Sequence, residues 1–281
     1  MINTICVCGA GTMGSGIAQV AAHAGFSTIL FDTKQTVVDN AHVNMKKSLE
    51  VLIGKGKMTE EDKKGLLSRL VFTSNPQLCK ADIFIEAIIE SQEAKTNLFN
   101  QLAQFNSDET IFASNTSSLS LNRIAEGIKN PERVIGMHFF NPAPVMKLVE
   151  VVKTNFTNEK TLSTTMQLAQ KMGKVAVVCK DAPGFIVNRI ARPFYIESLR
   201  LAEEGLVEME ELDQLLEASG FKMGPFKLMD LIGNDINYAV SCSVYEQLGR
   251  PERLKPSFIQ EKKVAAGELG RKTGKGYYTY S

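Results

Sequence analysis

The sequence predicts an α/β protein in which an N-terminal domain built on a parallel sheet is followed by an all-α C-terminal domain. Up to about residue 180, short β-branched or apolar segments alternate with longer helical patterns, which is typical of a parallel sheet with helices on both faces. From residue 185 the apolar residues follow helical spacing. A cluster of helix-breaking residues at 181–184 separates the two patterns. We therefore predict domains at residues 1–183 and 184–281.

Eight strands are expected in the N-terminal domain, at residues 3–8, 27–31, 71–73, 83–88, 110–114, 134–139, 147–152 and 175–179. Between the second and third strands, apolar residues spaced by three and four predict a helix: Val38, Ala41, Met45, Leu49 and Leu52. A second helix should begin at Thr59, whose hydroxyl can cap it together with Asp62 three residues later. The two helices form a predicted hairpin insertion that stands out from the sheet.

The C-terminal domain is predicted to hold four helices, at residues 185–204, 208–219, 227–248 and 257–266, and one short alternating segment at 277–280. Pro193 lies inside the first helix, where it should remove a backbone hydrogen bond and bend the axis. These helices carry more apolar residues than so small a bundle can bury by itself. We therefore expect a homodimer that associates through this domain.

Overall charge and cysteine usage exclude several classes of protein. The 32 basic and 31 acidic residues balance, so no general attraction to nucleic acid or to an anionic membrane is expected. No export signal and no uninterrupted apolar segment of membrane-spanning length is found. The five cysteines are scattered, which is typical of a reduced, cytoplasmic protein, and the closely spaced Cys6 and Cys8 lack a second Cys or His pair for a metal site.

A glycine-rich motif follows the first strand and opens a helix of small residues: Gly9-Ala10-Gly11-Thr12-Met13-Gly14. Gly9 allows a tight turn, Gly11 lets the backbone approach a pyrophosphate, and Gly14 permits close packing of helix on strand. Asp32 stands at the end of the second strand, where its carboxylate can accept hydrogen bonds from the adenosine ribose. A glycine-rich turn without a ligand is the alternative, but strand, turn, helix, strand and acid in this order favour a Rossmann-type dinucleotide site.

The same carboxylate bears on the choice of cofactor. Asp32 would repel the 2′-phosphate of NADP, which favours NAD. Lys34, two residues later, could attract that phosphate, so NADP remains open.

Polar side chains also follow later strands of the predicted sheet. Asn115 and Ser117 come after one strand, and His138 and Asn141 stand at the end of another. Because ligands of open α/β sheets bind at the carboxyl ends of strands, we expect these residues around the nicotinamide end of the cofactor. In the next strand, alternation places Glu150 on an apolar face, where a carboxylate needs a partner. With only three histidines in the chain, His138 is the natural candidate.

Taken together, these segments make the chain resemble the 3-hydroxyacyl-CoA dehydrogenase family from end to end, and most of all its short bacterial 3-hydroxybutyryl-CoA dehydrogenases. Besides the glycine motif, the matching segments lie at residues 85–90, 113–119, 136–150, 181–189, 223–226 and 270–278. The resemblance implies an NAD-dependent oxidoreductase that interconverts 3-hydroxyacyl-CoA and 3-oxoacyl-CoA.

The resemblance also implies roles for individual residues. His138 would be the catalytic acid/base, Glu150 its orienting partner, and Ser117 and Asn188 hydrogen-bonding groups at the substrate oxygen. Lys55, near the end of the helical hairpin, would meet the anionic part of coenzyme A, although exposed lysines are usually only solvated. The implied surroundings of the cofactor are Met13, Asp32, Ile88, Ile89, Glu90, Lys95 and Asn141.

Two other functions remain open at this point. A β-hydroxyacid dehydrogenase acting on a substrate without coenzyme A would share a Rossmann-type domain followed by helices, but such enzymes resemble one another in using a lysine as acid/base. A non-catalytic NAD-binding structural protein could share the whole fold. The combination of His138, Glu150, Ser117 and Asn188 argues against both. Each of these residues could also have a purely structural role if taken alone.

Overall fold

The computed structural model describes residues 2–280, which form two compact units. The first unit ends at Asp181 and the second begins at Ala182. The strands of the first unit are β1 (Thr4–Cys8), β2 (Ser27–Phe31), β3 (Leu70–Thr73), β4 (Ile83–Glu86), β5 (Ile111–Ser114), β6 (Val134–Phe139), β7 (Leu148–Lys153) and β8 (Val175–Lys180). Its helices are α1 (Thr12–His23), α2 (Gln35–Gly54), α3 (Glu60–Ser68), α4 (Gln92–Ala103), α5 (Leu121–Glu126) and α6 (Glu159–Lys171).

All eight strands form one sheet in the order β3-β2-β1-β4-β5-β6-β7-β8. The chain starts in the middle of the sheet, builds outward through β2 and β3, and then returns to add β4 on the other side of β1. Because crossovers between parallel strands are right-handed, this reversal opens a crevice at the carboxyl ends of β1 and β4. The Rossmann-type fold predicted from the sequence is confirmed.

One pairing departs from the predicted parallel sheet. Strands β6 and β7 run antiparallel, whereas β7 and β8 are parallel again. The connection from β6 to β7 covers only residues 140–147, and a parallel pair needs a crossover of a dozen residues or more. The short connection therefore forces β7 to turn back along β6, which places residues of the two strands directly opposite each other.

The helical hairpin packs with its apolar face on the main core. Ala41, Met45 and Leu49 of α2 are buried in the same cluster as Ile5 and Val7 of β1. The predicted cap of the second helix is present, since Thr59 Oγ1 accepts from Asp62 N and Thr59 N donates to Asp62 Oδ2. The hairpin predicted from apolar spacing therefore exists, and burial of its apolar side chains fixes it to the sheet.

The second unit is helical, with α7 (Val187–Glu203), α8 (Met209–Ala218), α9 (Pro225–Ile232), α10 (Asn234–Gln247) and α11 (Phe258–Ala265). Helix α7 continues through Pro193. The single helix predicted at 227–248 is wrong, because Gly233 has a φ of 104° and separates α9 from α10. The alternating segment at 277–280 makes only an isolated bridge, between Lys275 and Thr279, rather than a strand. No helix among residues 2–280 is long and apolar enough to cross a membrane.

Candidate active site

The turn between β1 and α1 is shaped by glycines that have no room for a side chain. Gly9 has a φ of 99°, and a Cβ there would lie 2.5 Å from the carbonyl oxygen of Ala87. A Cβ on Gly14 would lie 1.7 Å from the carbonyl oxygen of Gly9. At Gly11, by contrast, a Cβ would meet no atom of residues 2–280 within 4 Å. The turn is thus closed toward the protein and open at Gly11, which fits a backbone that must approach a pyrophosphate.

The N-terminus of α1 faces this open side. Gly11 is its N-cap and supplies no side-chain oxygen to the first turn, and Thr12 is exposed. The backbone N–H groups of that turn are therefore available to an anion, and the helix dipole favours negative charge there. Met13, the next residue, is partly buried against the core.

Asp32 lies directly after β2 and is tied to the glycine turn. Its Oδ2 accepts from Ala10 N at 2.9 Å, and its Oδ1 accepts from Lys34 N at 3.1 Å. These two bonds hold the carboxylate beside the turn, as expected for a ribose ligand. The side chain of Lys34 is exposed.

A buried ionic cluster follows β4. Glu86, the last residue of β4, is fully buried, and its Oε1 accepts from Lys95 Nζ at 2.6 Å and from Ile88 N at 2.7 Å. Its Oε2 accepts from Ser114 Oγ at 2.6 Å. Lys95, from α4, is only 1% exposed and also lies 3.1 Å from Glu90 Oε2. The lysine therefore sits between two carboxylates inside the protein rather than on an open surface.

Glu90 connects this cluster to the loop that follows β5. Its Oε1 accepts from Thr116 Oγ1 at 2.5 Å, from Ser117 N at 3.1 Å and from Ser118 Oγ at 3.1 Å. Two loops at the carboxyl edge of the sheet, 87–90 and 115–118, are thus joined through one carboxylate. Ile89, on the first of these loops, is 72% exposed.

The two carboxylates differ in their pKa. Burial raises the pKa of Glu86 above its usual value, and Lys95, Ser114 and the Ile88 N–H offset only part of that rise. Burial also acts to raise the pKa of Glu90, but Lys95 and Thr116 outweigh it, so the pKa of Glu90 lies below its usual value. Glu90 therefore stays charged over a wider range of pH than Glu86.

His138 and Glu150 form a buried pair across β6 and β7. The antiparallel register places the two residues directly opposite each other, and His138 Nδ1 lies 2.7 Å from Glu150 Oε2. The residues are 5% and 1% exposed. An ionised carboxylate only accepts, so the hydrogen of this bond belongs to Nδ1 of His138. The imidazole also contacts the ring of Phe140, with centroids 4.5 Å apart.

Three further residues lie at or near the end of β6 and the connection that follows it. Asn115 Oδ1 accepts from Phe139 N at 2.8 Å, which fixes the backbone directly after His138. Asn141 is exposed on the connection to β7, where the peptide bond to Pro142 is cis. Lys174 is buried and donates to the carbonyl oxygens of Ala143 and Met146 at 2.6 and 2.8 Å. The lysine thereby anchors the connection that carries Asn141.

The remaining predicted residues are Lys55 in the first unit and Asn188 in the second. Lys55 is exposed at the C-terminal cap of α2. Asn188 lies in the first turn of α7, in the second unit, where its backbone carbonyl accepts from Arg192 Nε at 3.0 Å. Their predicted contacts with substrate stay predictions.

Sequence reasoning gave no role to Glu86 or Lys174, and it placed Thr116 near the nicotinamide only as part of the polar segment 114–118. Glu86 had a visible signal, since it is a charged residue at the end of an apolar strand, the same pattern that singled out Glu150. Lys174 had none, because single lysines are common on surfaces.

The fold and the site together define a dinucleotide-binding dehydrogenase. A family model described as 3-hydroxyacyl-CoA dehydrogenase, NAD binding domain, matches residues 4–182. A second model, described as the C-terminal domain of 3-hydroxyacyl-CoA dehydrogenase, matches residues 184–280. The chain belongs to the 3-hydroxyacyl-CoA dehydrogenase family. The predictions of this family, of an NAD-dependent dehydrogenase and of NAD as its cofactor are confirmed.

Individual relatives agree with this assignment. The chain is 44% identical to 3-hydroxyadipyl-CoA dehydrogenase of Escherichia coli over 99% of its own length, but it spans only 59% of that protein. It is 41% identical to the probable 3-hydroxybutyryl-CoA dehydrogenase of Deinococcus radiodurans, over 98% of its own length and 99% of that protein. The crystal structure of (S)-3-hydroxybutyryl-CoA dehydrogenase from Ralstonia eutropha matches with a TM-score of 0.95, 38% identity and full coverage of both chains.

Proposed function

We propose that the protein interconverts 3-hydroxyacyl-CoA and 3-oxoacyl-CoA with NAD, with His138 as the catalytic acid/base. The observation that carries this proposal is the buried His138–Glu150 pair on β6 and β7. The substrates named for the relatives in Deinococcus and Ralstonia favour 3-hydroxybutyryl-CoA and acetoacetyl-CoA. The relative in Escherichia coli is named for 3-hydroxyadipyl-CoA, which has a longer acyl group with a second carboxylate.

The residues of the first unit fit the cofactor. The N–H groups at the start of α1, with the open backbone at Gly11, would hold the pyrophosphate, and Asp32 would accept from the ribose. The loops that carry Ile88, Glu90, Asn115 and Asn141 would border the nicotinamide half. When bound, the nicotinamide supplies a hydride acceptor or donor for carbon 3 of the substrate.

His138 accepts and donates the proton of the substrate's 3-hydroxyl group. In the oxidative direction its Nε2 takes the proton of the 3-hydroxyl group, and in the reductive direction it returns that proton to the carbonyl oxygen. Glu150 accepts from Nδ1, so it fixes the tautomer in which Nε2 faces the substrate and stabilises the positive ring that forms. Burial of the pair keeps water from competing for these bonds.

Ser117 and Asn188 are proposed to donate to the substrate oxygen. The backbone N–H of Ser117 donates to Glu90 Oε1, so the position of the Ser117 side chain depends on the ionic cluster. Lys55 is proposed to meet an anionic group of coenzyme A. In this scheme residues 1–183 bind the dinucleotide, and residues 184–281 contribute to the substrate site and to dimerisation.

Association through the second unit is supported by large apolar side chains on its surface. Ile190 of α7 is 71% exposed, Leu215 of α8 is 60% exposed and Ile236 of α10 is 50% exposed. Where such side chains form one contiguous patch, they mark an association site. Analytical ultracentrifugation at micromolar concentration should give a homodimer, and a stable monomer would contradict this part of the proposal.

The test of the activity is the oxidation of NADH on addition of acetoacetyl-CoA, followed by absorbance. We expect turnover with acetoacetyl-CoA and almost none with free acetoacetate or with small hydroxyacids. Turnover only of substrates without coenzyme A would establish the hydroxyacid dehydrogenase alternative, and NADH binding without any turnover would establish the non-catalytic one. His138→Asn should abolish turnover while NADH still binds, because the histidine acts on the proton rather than on the cofactor.

A further inference from the structure

The ion pair with Lys95 links the buried Glu86 to one of the residues predicted around the cofactor. Glu86 presents both carboxylate oxygens to donors, with Lys95 Nζ and Ile88 N on one and Ser114 Oγ on the other. The fully buried carboxylate accepts three hydrogen bonds from three different segments: α4, the loop after β4, and β5. Burying a carboxylate this completely is costly, and a cation at 2.6 Å offsets the cost.

The loop of residues 87–90 is in contact with the glycine turn. Ala87 N donates to Cys8 O at 2.7 Å, and the space that a side chain on Gly9 would need is filled by the Ala87 carbonyl oxygen. A change in the path of residues 87–90 would therefore move one wall of the turn that receives the cofactor. The bond from Ile88 N to Glu86 Oε1 restrains that path.

We propose that Glu86 is a positioning residue for the cofactor site: through Lys95 and the Ile88 N–H it fixes the loop of residues 87–90 against the glycine turn. The inference rests on the proposed function and deepens it, since Glu86 is fully buried and acts on the cofactor only through other groups. Lys95 transmits the effect because its ammonium group is shared with Glu90, which in turn holds Ser117 N. When the charge of Glu86 is removed, Lys95 keeps an ion pair with Glu90 alone. The loop between Glu86 and Glu90 is then less restrained.

The test is the affinity for NADH, measured by fluorescence titration of the intact protein, with thermal unfolding recorded in parallel. Glu86→Gln keeps the shape of the side chain and removes its charge. We expect the Kd for NADH to rise about tenfold, within the range of coupling between charged groups in contact. In steady state the KM for NADH should rise with it, while the KM for acetoacetyl-CoA changes less. Glu93→Gln, an exposed glutamate in the first turn of α4, is the matched control and should leave the Kd unchanged.

A purely structural glutamate would give another pattern. Loss of stability alone lowers the active fraction and leaves the Kd and both KM values of the folded molecules at the wild-type level. That result for Glu86→Gln would overturn the inference. If wild-type protein itself fails to bind NADH, the proposed function fails instead, so the two failures are distinguishable.

A double-mutant cycle tests whether Glu86 acts through Lys95. In the Lys95→Met background, Glu86→Gln should add little to the rise in Kd, because the ion pair is already lost. The double variant is nearly isosteric with the wild-type pair and buries no unpaired charge between the two positions, so it also serves if a single variant does not fold. Additive effects on the Kd, or a double variant that binds NADH as tightly as wild type, would contradict the inference.

Discussion

The buried carboxylates of the two units have different kinds of hydrogen-bond partner. In the first unit, Glu86 and Glu150 face basic side chains, Lys95 and His138. In the second unit, the buried Asp230 accepts from the backbone N–H groups of residues 277 and 278 and from Tyr280 Oη and Asn234 Nδ2. We propose that the charge of Glu86 and Glu150 serves the cofactor and catalytic site, whereas the hydrogen bonds of Asp230 join the C-terminal segment to α9.

The same contrast appears at a second buried carboxylate of the helical unit. Asp213 of α8 is fully buried and accepts from the backbone N–H groups of residues 226 and 227 at the start of α9 and from Tyr278 Oη. Burial and Asp213 together raise the pKa of Tyr278, so its hydroxyl keeps its proton and remains a donor. Asp213 thereby caps the N-terminus of α9, whose N-cap residue Gly224 supplies no side chain for this purpose. Variants of Glu86 or Glu150 should therefore lower activity or cofactor affinity. Variants of Asp230 or Asp213 should instead lower the free energy of unfolding.

The largest effect is expected at Glu150. Glu150→Gln should lower kcat by about two to four powers of ten, the range for displaced acid/base catalysis, because the amide no longer fixes the tautomer or stabilises the positive ring of His138. The Kd for NADH should stay near the wild-type value. Steady-state kinetics normalised to folded protein, together with an NADH titration, measure both. Wild-type turnover per folded molecule would show that Glu150 is a structural carboxylate like Asp230.

The opposite pattern is expected at Asp230. Asp230→Asn removes the charge and turns an amide donor toward groups that themselves donate, so the free energy of unfolding should fall by about 2 to 4 kcal/mol. Turnover per folded molecule should change less than about twofold. Denaturant unfolding and kinetics on the same preparations test this, with the exposed Glu210→Gln on α8 as control. A large fall in kcat at full stability would remove the distinction between the two units.

The sequence predicted the parts of this contrast that follow from alternation within one element. It did not predict the parts that depend on how elements pair and pack. The His138–Glu150 pair was predictable, since alternation within one strand puts Glu150 on an apolar face and the chain has only three histidines. The antiparallel register that joins the two residues was missed, because the pattern of a buried strand does not reveal its direction.

Other features depended on how consecutive elements pack. The pairing of Glu86 with Lys95 joins the end of β4 to α4, and neither strand nor helix periodicity predicts how the loop between them turns. The break at Gly233 was missed because apolar spacing continues across it, and a glycine within a helical pattern costs only about 1 kcal/mol. Its positive φ, which ends α9, is set by tertiary structure.

A smaller effect is expected at Asp32, whose carboxylate is proposed to meet the adenosine end of the cofactor. Asp32→Ala should reduce the preference for NAD over NADP by about tenfold, as expected for loss of hydrogen bonds to a charged group, with little change in kcat. The bond to Ala10 N is lost as well, so both cofactors should bind more weakly and the ratio of kcat/KM values is the informative quantity. Asp39→Ala, on the exposed side of α2, is the control. An unchanged ratio of the kcat/KM values for NAD and NADP would show that Asp32 does not bind the ribose.

The smallest effect is expected at Lys174, the buried cation that holds the connection after β6. Burial lowers the pKa of Lys174, and its hydrogen bonds go to two backbone carbonyls rather than to a carboxylate in residues 2–280. Because the folded pKa lies below the unfolded value, the unfolded chain binds more protons between the two, and this group makes the protein more stable as the pH rises through that interval.

Lys174→Met should abolish this contribution. Other lysines and tyrosines titrate in the same alkaline range, so the informative quantity is the difference in unfolding free energy between wild type and variant, followed by urea unfolding from neutral pH toward the ordinary pKa of lysine. That difference should shift steadily in favour of the wild type as the pH rises. Lys171→Met, at an exposed position in α6, is the control that removes a lysine without removing the buried ammonium group. A flat difference for Lys174→Met would mean that the two carbonyls compensate fully for the buried charge.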